Sequence, residues 1–289
     1  MGDERPEVAS SEAYRRPSLL ETIGERIARA VPDGAPRRWL RDAYRAALRI
    51  RSGGRGFESR LPGGESVRLL PEYRFVTWNP AEYEAFRAAS RAGGVALDVG
   101  ANVGAYALLF GRWMRPGGRV YAFEPAPDAF DGLSRHVALN GLRDVVTPVR
   151  AAAAGASGTA TLRVDGISGA NRLSEEDGGG SIDVEAVTID DFCARERIRP
   201  SVIKIDVEGA ELEVLRGARE TIRAGGDDLA LFVEMHPSIW REMGISPADL
   251  QAELASQGLR ALPLRPGGDP WALEGECLRI VRADAAGRD

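Results

Sequence analysis

The sequence predicts an α/β domain built on a mostly parallel sheet with helices on both faces. Three observations predict it: apolar runs of strand length alternate with amphipathic stretches from Val95 onward, a glycine turn follows the first run, and carboxylates stand where the runs end. Parallel strands need crossover connections, and the crossover helices cover both faces of the sheet. Ligands of such sheets bind beyond the carboxyl ends of the strands. Asp98, Glu124, Asp206 and Glu234 all stand at such ends, which gathers the candidate chemistry on one rim.

The elements follow in order. Residues 1–60 read as an N-terminal helical extension, partly disordered to about Ser11, helical over Ser18–Val31 and Pro36–Ile50, and closed by the glycine-rich joint Ser52–Gly56. Leu40, Tyr44, Ala47 and Leu48 recur at helical spacing in the second helix, so Arg37, Arg38, Arg41, Arg45 and Arg49 form its solvated face. A docked helix is expected there rather than a polyanion-binding one. Residues 61–289 form the main domain. Leu61–Leu70 is predicted to make a hairpin, and Pro80 starts a helix from its first turn. Strands are predicted at Val95–Asp98, Arg119–Phe123, Val145–Val149, Val202–Asp206 and Leu229–Glu234. Helices are predicted at Ala105–Met114, Pro127–Asn140, Gly209–Ala224 and Ser238–Met243. A strand pair, Gly158–Val164 and Ser181–Val187, interrupts the alternation, and its long polar connection holds Ser168, Asn171 and Arg172 as candidate substrate contacts. Leu259–Leu264 and Cys277–Val281 are expected to add antiparallel edge strands.

Composition narrows the function classes. Of the 289 residues, 44% are hydrophobic and 28% charged, which is ordinary for a globular enzyme. The net charge of −5 argues against nucleic acid as substrate, since binding it usually needs a basic face. No apolar run reaches membrane-spanning length, and the N-terminus lacks the pattern of a signal peptide, so a cytoplasmic location is expected. Cys193 and Cys277 stand far apart and exclude a disulfide framework or a zinc ribbon.

The motif with most chemistry is Val95-Ala-Leu-Asp-Val-Gly-Ala-Asn-Val-Gly-Ala-Tyr106, followed by a strand ending on Glu124. Gly100 and Gly104 allow a tight turn and close approach of backbone to a ligand. The helix beyond points free N–H groups at whatever the turn holds, and Glu124 can accept from both hydroxyls of a ribose. A dinucleotide turn has the spacing Gly-x-Gly-x-x-Gly and must receive an anionic pyrophosphate. Here the spacing is Gly100-x-x-x-Gly104 with Asp98 before it, a carboxylate that attracts an ammonium or sulfonium instead. S-adenosylmethionine carries both cations, so the motif favours a methyl donor over NAD.

A second constellation is Val202-Ile-Lys-Ile-Asp-Val-Glu-Gly-Ala-Glu211, in which Lys204, the chain's only lysine, shares one strand face with Asp206. Asp206, Glu208 and Glu211 cluster at the turn, where they can position a hydroxyl, hold a divalent metal such as Mg²⁺, or balance a sulfonium. A third is Leu231-Phe-Val-Glu-Met-His-Pro237, where Glu234 and His236 alternate onto one side of the strand end. Imidazole is the usual general base near neutral pH, so His236 is the candidate base or substrate ligand, while His136 reads as a packing residue.

Taken together, DVGANVG with FEP, IKIDVEGAELEVLRG and FVEMHP resemble the FkbM-type S-adenosylmethionine-dependent methyltransferases over about Glu65–Gln257. The resemblance implies the class I methyltransferase fold, a Rossmann-like seven-stranded sheet, for a domain whose core spans about residues 95–257. It implies O-methylation of a sugar, glycan or secondary-metabolite hydroxyl, with Asp98, Gly100, Asn102, Gly104 and Glu124 binding the cofactor. Asp206, Glu208, Glu234 and His236 match the family's acidic and Glu-x-His segments. Two alternatives stand beside it: an NAD-dependent oxidoreductase on a similar sheet, and a non-catalytic binding module.

Overall fold

The computed structural model describes residues 50, 52–61, 63–74, 76–164, 171–173, 181–265, 271 and 274–283. Apart from Ile50, the two predicted helices of the N-terminal extension lie outside these residues, as does Ser168. A hairpin of β1 (Phe57–Arg60) and β2 (Ser66–Leu69) comes first, then α1 (Pro80–Ala89). The Asn79 side chain accepts from Ala81 N to start α1, and Pro80 takes the first-turn place where no N–H is needed.

The alternating region then runs β3 (Val95–Val99), α2 (Ala105–Trp113), β4 (Arg119–Phe123), α3 (Pro127–Leu139) and β5 (Val146–Val149). The insertion contributes β6 (Ala152–Ala153), β7 (Gly158–Val164), β8 (Asn171–Leu173) and β9 (Ser181–Val187). After it come α4 (Ile189–Glu196), β10 (Val202–Ile205), α5 (Glu211–Arg216), α6 (Arg219–Gly225), β11 (Ala230–Met235), α7 (Pro237–Glu242), α8 (Pro247–Ser256), β12 (Leu259–Pro263) and β13 (Glu276–Arg282).

Seven strands form the main sheet in the order β12, β13, β11, β10, β3, β4, β5. The expected Rossmann-like, mostly parallel class I methyltransferase architecture is present. From β3 the chain winds outward through β4 to β5 and then restarts on the other side of β3 with β10, so that β4 and β10 are the parallel neighbours of β3. That reversal is the switch point where open α/β sheets leave a crevice for ligands. The apolar pattern explains both covered faces. Ala96, Val120, Ala122, Val202 and Phe232 point toward Phe86, Phe110 and Leu133 of the helices on one side. Leu97, Phe123, Ile203, Ile205 and Val233 point toward Phe192, Leu212, Leu215 and Leu250 on the other.

Four elements differ from expectation. Cys277–Val281 is not at the edge, because β13 inserts antiparallel between β11 and β12, and only β12 is an outer strand. The helix predicted over Gly209–Ala224 is two helices. Asp190 at the start of α4 accepts from Glu220 N at 3.0 Å and Thr221 N at 2.7 Å, capping α6 as a separate start. The helix α8 was not predicted, although Ser246 and Asp249 form a reciprocal capping box around Pro247. The insertion is larger than a pair: β6, β9, β7 and β8 make a four-stranded sheet, with Asn171 and Arg172 on its outer strand β8. Cys193 and Cys277 are buried free thiols. Among the described residues no helix is long and apolar enough to cross a membrane.

His136 is a packing residue, as expected. Its ring is fully buried, accepts from Leu70 N at 2.8 Å and donates from Nδ1 to Val103 O at 2.7 Å. Burial lowers its pKa, so it stays neutral and ties the hairpin to the turn after β3.

Candidate active site

The cleft at the switch point is lined by Gly100, Asn102, Phe123, Glu124 and Pro125 on one side and by Asp206, Val207 and Glu208 on the other. Ala151, Ala152 and Ala153 form its floor and Leu162 of the insertion closes it, around a space of about 600 Å³ that includes the open mouth. The run of alanines is a signal the sequence offered, since small side chains after a strand leave room for a ligand. Among the described residues the insertion reaches the cleft through β6 and Leu162.

Gly100 follows β3 with φ +80, and a Cβ there would lie 1.7 Å from the Asp206 carbonyl oxygen. The glycine therefore lets the ends of β3 and β10 touch. Gly104, the first residue before α2, faces Leu133, 2.6 Å from where a Cβ would sit. Asn102 is exposed at the lip, with φ +49. Its backbone N–H donates to Glu124 Oε2 at 2.9 Å, while Ala126 N–H donates to Glu124 Oε1 at 2.8 Å. Glu124 thus braces the turn, and each oxygen keeps a second lone pair for a ligand. Burial pushes its pKa up to about 7, against the two backbone hydrogen bonds.

Asp98 does not line the cleft. It is 1% exposed on β3, directly opposite Lys204 on β10, with Lys204 Nζ 3.9 Å from its Oδ1. Burial raises its pKa to about 6 even with that cation beside it. Lys204 also donates to Asp206 Oδ2 at 2.9 Å and sits 5.4 Å from the centre of the Tyr106 ring. Tyr106 in turn donates its O–H to the buried Glu82. The sequence showed Lys204 and Asp206 on one face but not that the same ammonium bridges to Asp98, because strand register is a long-range property. The carboxylates that face a ligand in the cleft are Glu124, Asp206 and Glu208.

At the ends of β10 and β11 the other predicted residues meet. His236 Nε2 lies 3.7 Å from Asp206 Oδ1 and 3.8 Å from Glu234 Oε1, while its Nδ1 lies 2.8 Å from Glu211 Oε1. Glu211 is fully buried and also accepts from Gly209 N and from Trp240 Nε1 at 2.7 Å. The sequence grouped Glu211 with Asp206 and Glu208 at the turn; its carboxylate clamps the imidazole. Burial opposes charge on His236, but the Glu211 hydrogen bond and the carboxylates around it raise its pKa to about 9. A pKa raised in this way disfavours the general-base role expected for His236. Burial and Asp206 raise Glu234 to about 8, which keeps it largely protonated as well. Asp206 is the ionised member, because Lys204 outweighs the burial that would raise its pKa.

These residues fall within a region that is similar to known proteins. The model of the methyltransferase FkbM domain matches residues 98–260. The hexuronic acid methyltransferase AglP of Haloferax volcanii is 30% identical over 168 residues, which is 57% of this chain and 63% of that protein. The chain therefore spans less than two thirds of that relative. The methyltransferase sdnD of Sordaria araneosa is 31% identical over 196 residues, covering 56% of this chain and 72% of the relative. Among solved structures, methyltransferase FkbM from Methylobacillus flagellatus KT aligns at TM-score 0.43 and 20% identity over 66% of this chain and 44% of that one. The domain match takes in more than half of the 289 residues and every strand-end residue described above, from Asp98 to His236: the chain belongs to the FkbM methyltransferase family.

Proposed function

We propose that this protein is an S-adenosylmethionine-dependent O-methyltransferase acting on a hydroxyl of a sugar, glycan or secondary metabolite. The observation that carries this reading is one cleft whose two walls divide the labour. Gly100, Asn102 and Glu124 form a nucleoside side, and Asp206 and Glu208 face them from the neighbouring strand end. The cleft presents three carboxylates, which favours a cationic ligand and opposes a pyrophosphate. When bound, the sulfonium cofactor supplies an electrophilic methyl group. The chain's part is to hold ribose hydroxyls on Glu124, hold the acceptor hydroxyl near Glu208, and exclude water with the alanine floor and Leu162. With His236 protonated and Asp206 committed to Lys204, Glu208 is the carboxylate we assign to take the hydroxyl proton. Glu208→Gln is expected to lower kcat roughly 10²–10⁴-fold with cofactor affinity unchanged. An unchanged kcat in single-turnover methyl transfer would remove that role.

Residues 61–289 are proposed as the methyltransferase domain, with the preceding segment as an extension to it. The hexuronic acid methyltransferase relative supports testing uronic acids and other glycosides first as acceptors, with labelled methyl donor. Calorimetric titration with S-adenosylhomocysteine and with NADH separates the classes: binding of the former supports the proposal, binding of NADH alone would replace it with an oxidoreductase, and binding of neither would leave a non-catalytic module.

The Glu124 assignment predicts a pH dependence. Its folded pKa of about 7 exceeds the ordinary 4.5, so its contribution to stability is present below 4.5 and lost as pH rises through 7. Ribose hydroxyls donate to the ionised form, so binding favours proton release. Affinity for S-adenosylhomocysteine should therefore rise roughly tenfold from about pH 6 to about pH 8. In Glu124→Gln the slope should vanish; an equal slope in that variant would assign the titration elsewhere.

A further inference from the structure

Asp206, Glu234 and His236 bring one ligand atom each to within 4.8 Å of one another. His236 Nε2 stands 3.7 Å from Asp206 Oδ1 and 3.8 Å from Glu234 Oε1, out of hydrogen-bond reach. Two donors bound about 2.1 Å from a shared ion are about 3.0–3.4 Å apart, so small rotations of these side chains would close them on a cation. The second observation is how the ring is aimed. His236 is 8% exposed, and its Nδ1 is held by Glu211, a fully buried carboxylate fixed in turn by Gly209 N and Trp240 Nε1. Only Nε2 is left, and it points at the two carboxylates. A carboxylate holding the far nitrogen of a histidine is the outer-shell arrangement that orients metal ligands. Asp206 is divided in the same way: Oδ2 takes Lys204 at 2.9 Å, and Oδ1 faces the imidazole.

We propose that Asp206, Glu234 and His236 bind a divalent transition-metal ion of the Mn²⁺ or Zn²⁺ type beside the cleft, the ion taking the place of the protons on His236 Nε2 and on Glu234, which leave to solvent. An all-oxygen set suits Mg²⁺, whereas an imidazole among carboxylates shifts preference toward the softer ions, so the site departs from the Mg²⁺ the sequence suggested. Three protein ligands leave coordination positions open. Asp206 also lines the cleft, so those positions face it and fit adjacent oxygens of an acceptor, such as a vicinal diol or a hydroxy acid. That acceptor role rests on the methyl-transfer reading; ion binding does not.

The test uses the full chain, stripped with chelator and titrated with Mn²⁺ under electron paramagnetic resonance. One saturable site per chain is expected, resistant to excess Mg²⁺, with spin-echo modulation from a coordinated imidazole nitrogen. His236→Asn and Glu234→Gln should each weaken Mn²⁺ binding at least roughly tenfold, as should Glu211→Gln through the lost negative charge behind Nδ1. The nitrogen signal of the unmodified protein decides the matter even where a variant folds poorly. Absence of saturable binding, absence of nitrogen modulation, or undiminished affinity in a folded His236→Asn overturns the site. Parallel titration with S-adenosylhomocysteine keeps the readings apart. Mn²⁺ binding without it retains the metal site and sinks methyl transfer, and the converse retains methyl transfer and sinks the metal site.

Discussion

Gly100→Ala is expected to destabilise the fold by roughly 1.5–4.5 kcal/mol and to abolish binding of S-adenosylhomocysteine. Two effects add. The residue sits at φ +80, where a side chain costs roughly 1–2 kcal/mol. The added Cβ would also fall 1.7 Å from the Asp206 carbonyl oxygen and 2.7 Å from its carbon, which are backbone atoms that no rotamer change can move aside. Relief must come from parting β3 and β10, and overpacking of that kind costs roughly 1–3 kcal/mol. The stiffer unfolded chain of an alanine returns only roughly 0.4–1 kcal/mol. The same parting widens the cleft between Asn102 and Asp206, so stability and binding should fail together. Urea unfolding and calorimetry on the variant check both. A Gly100→Ala protein within roughly 1 kcal/mol of the parent that still binds the cofactor product would show that the strand ends yield easily.

The parts of this molecule that could be read from sequence are those specified by neighbours along the chain. Strand period, the turn at Gly100 and the acid at the end of β4 are local, and each lies where the pattern put it. The carboxylates and His236 could also be placed on one rim, because parallel strands align their carboxyl ends. What could not be read depends on register and on packing between distant segments. Asp98 belonged to the cofactor turn by sequence, yet its alignment with Lys204 sinks it beneath the cleft. Glu211 stood in the acidic cluster at the turn by sequence, yet Trp240 and His236, well over twenty residues later, enclose it. His236 illustrates the consequence: a carboxylate from another helix raises the pKa of a histidine that the sequence put at the right place. Antiparallel β13 was misplaced for a related reason, since nothing local tells an inserted strand from an outer one.

These contacts also explain why a chain that uses arginine everywhere else keeps one lysine. Lys204 is 2% exposed and meets Asp98 and Asp206 at once, with Tyr106 beside its ammonium. A compact ammonium on a flexible stem fits between two strands, where a planar guanidinium needs more width. The two acids pull the pKa of the lysine upward against its burial, so the cation persists and holds Asp206 ionised at the cleft wall.

Lys204→Met should accordingly cost roughly 3–5 kcal/mol, because it leaves buried carboxylates without their counter-charge rather than merely removing a contact. The side-chain volume is nearly conserved, so packing loss should contribute little. Lys204→Arg should also be destabilising, through overpacking of about 1–3 kcal/mol, although the charge is kept. The decisive measurement is a double-mutant cycle. If the penalty of Lys204→Met arises from stranded charge, then adding Asp98→Asn removes part of that charge. The double variant should then recover roughly 0.5–3 kcal/mol relative to the sum of the single changes. Asp206 lacks its counter-charge in both backgrounds, so recovery of stability should come without recovery of methyl transfer. Strict additivity in urea unfolding would mean that Asp98 and Lys204 are not coupled and that the lysine serves Asp206 alone.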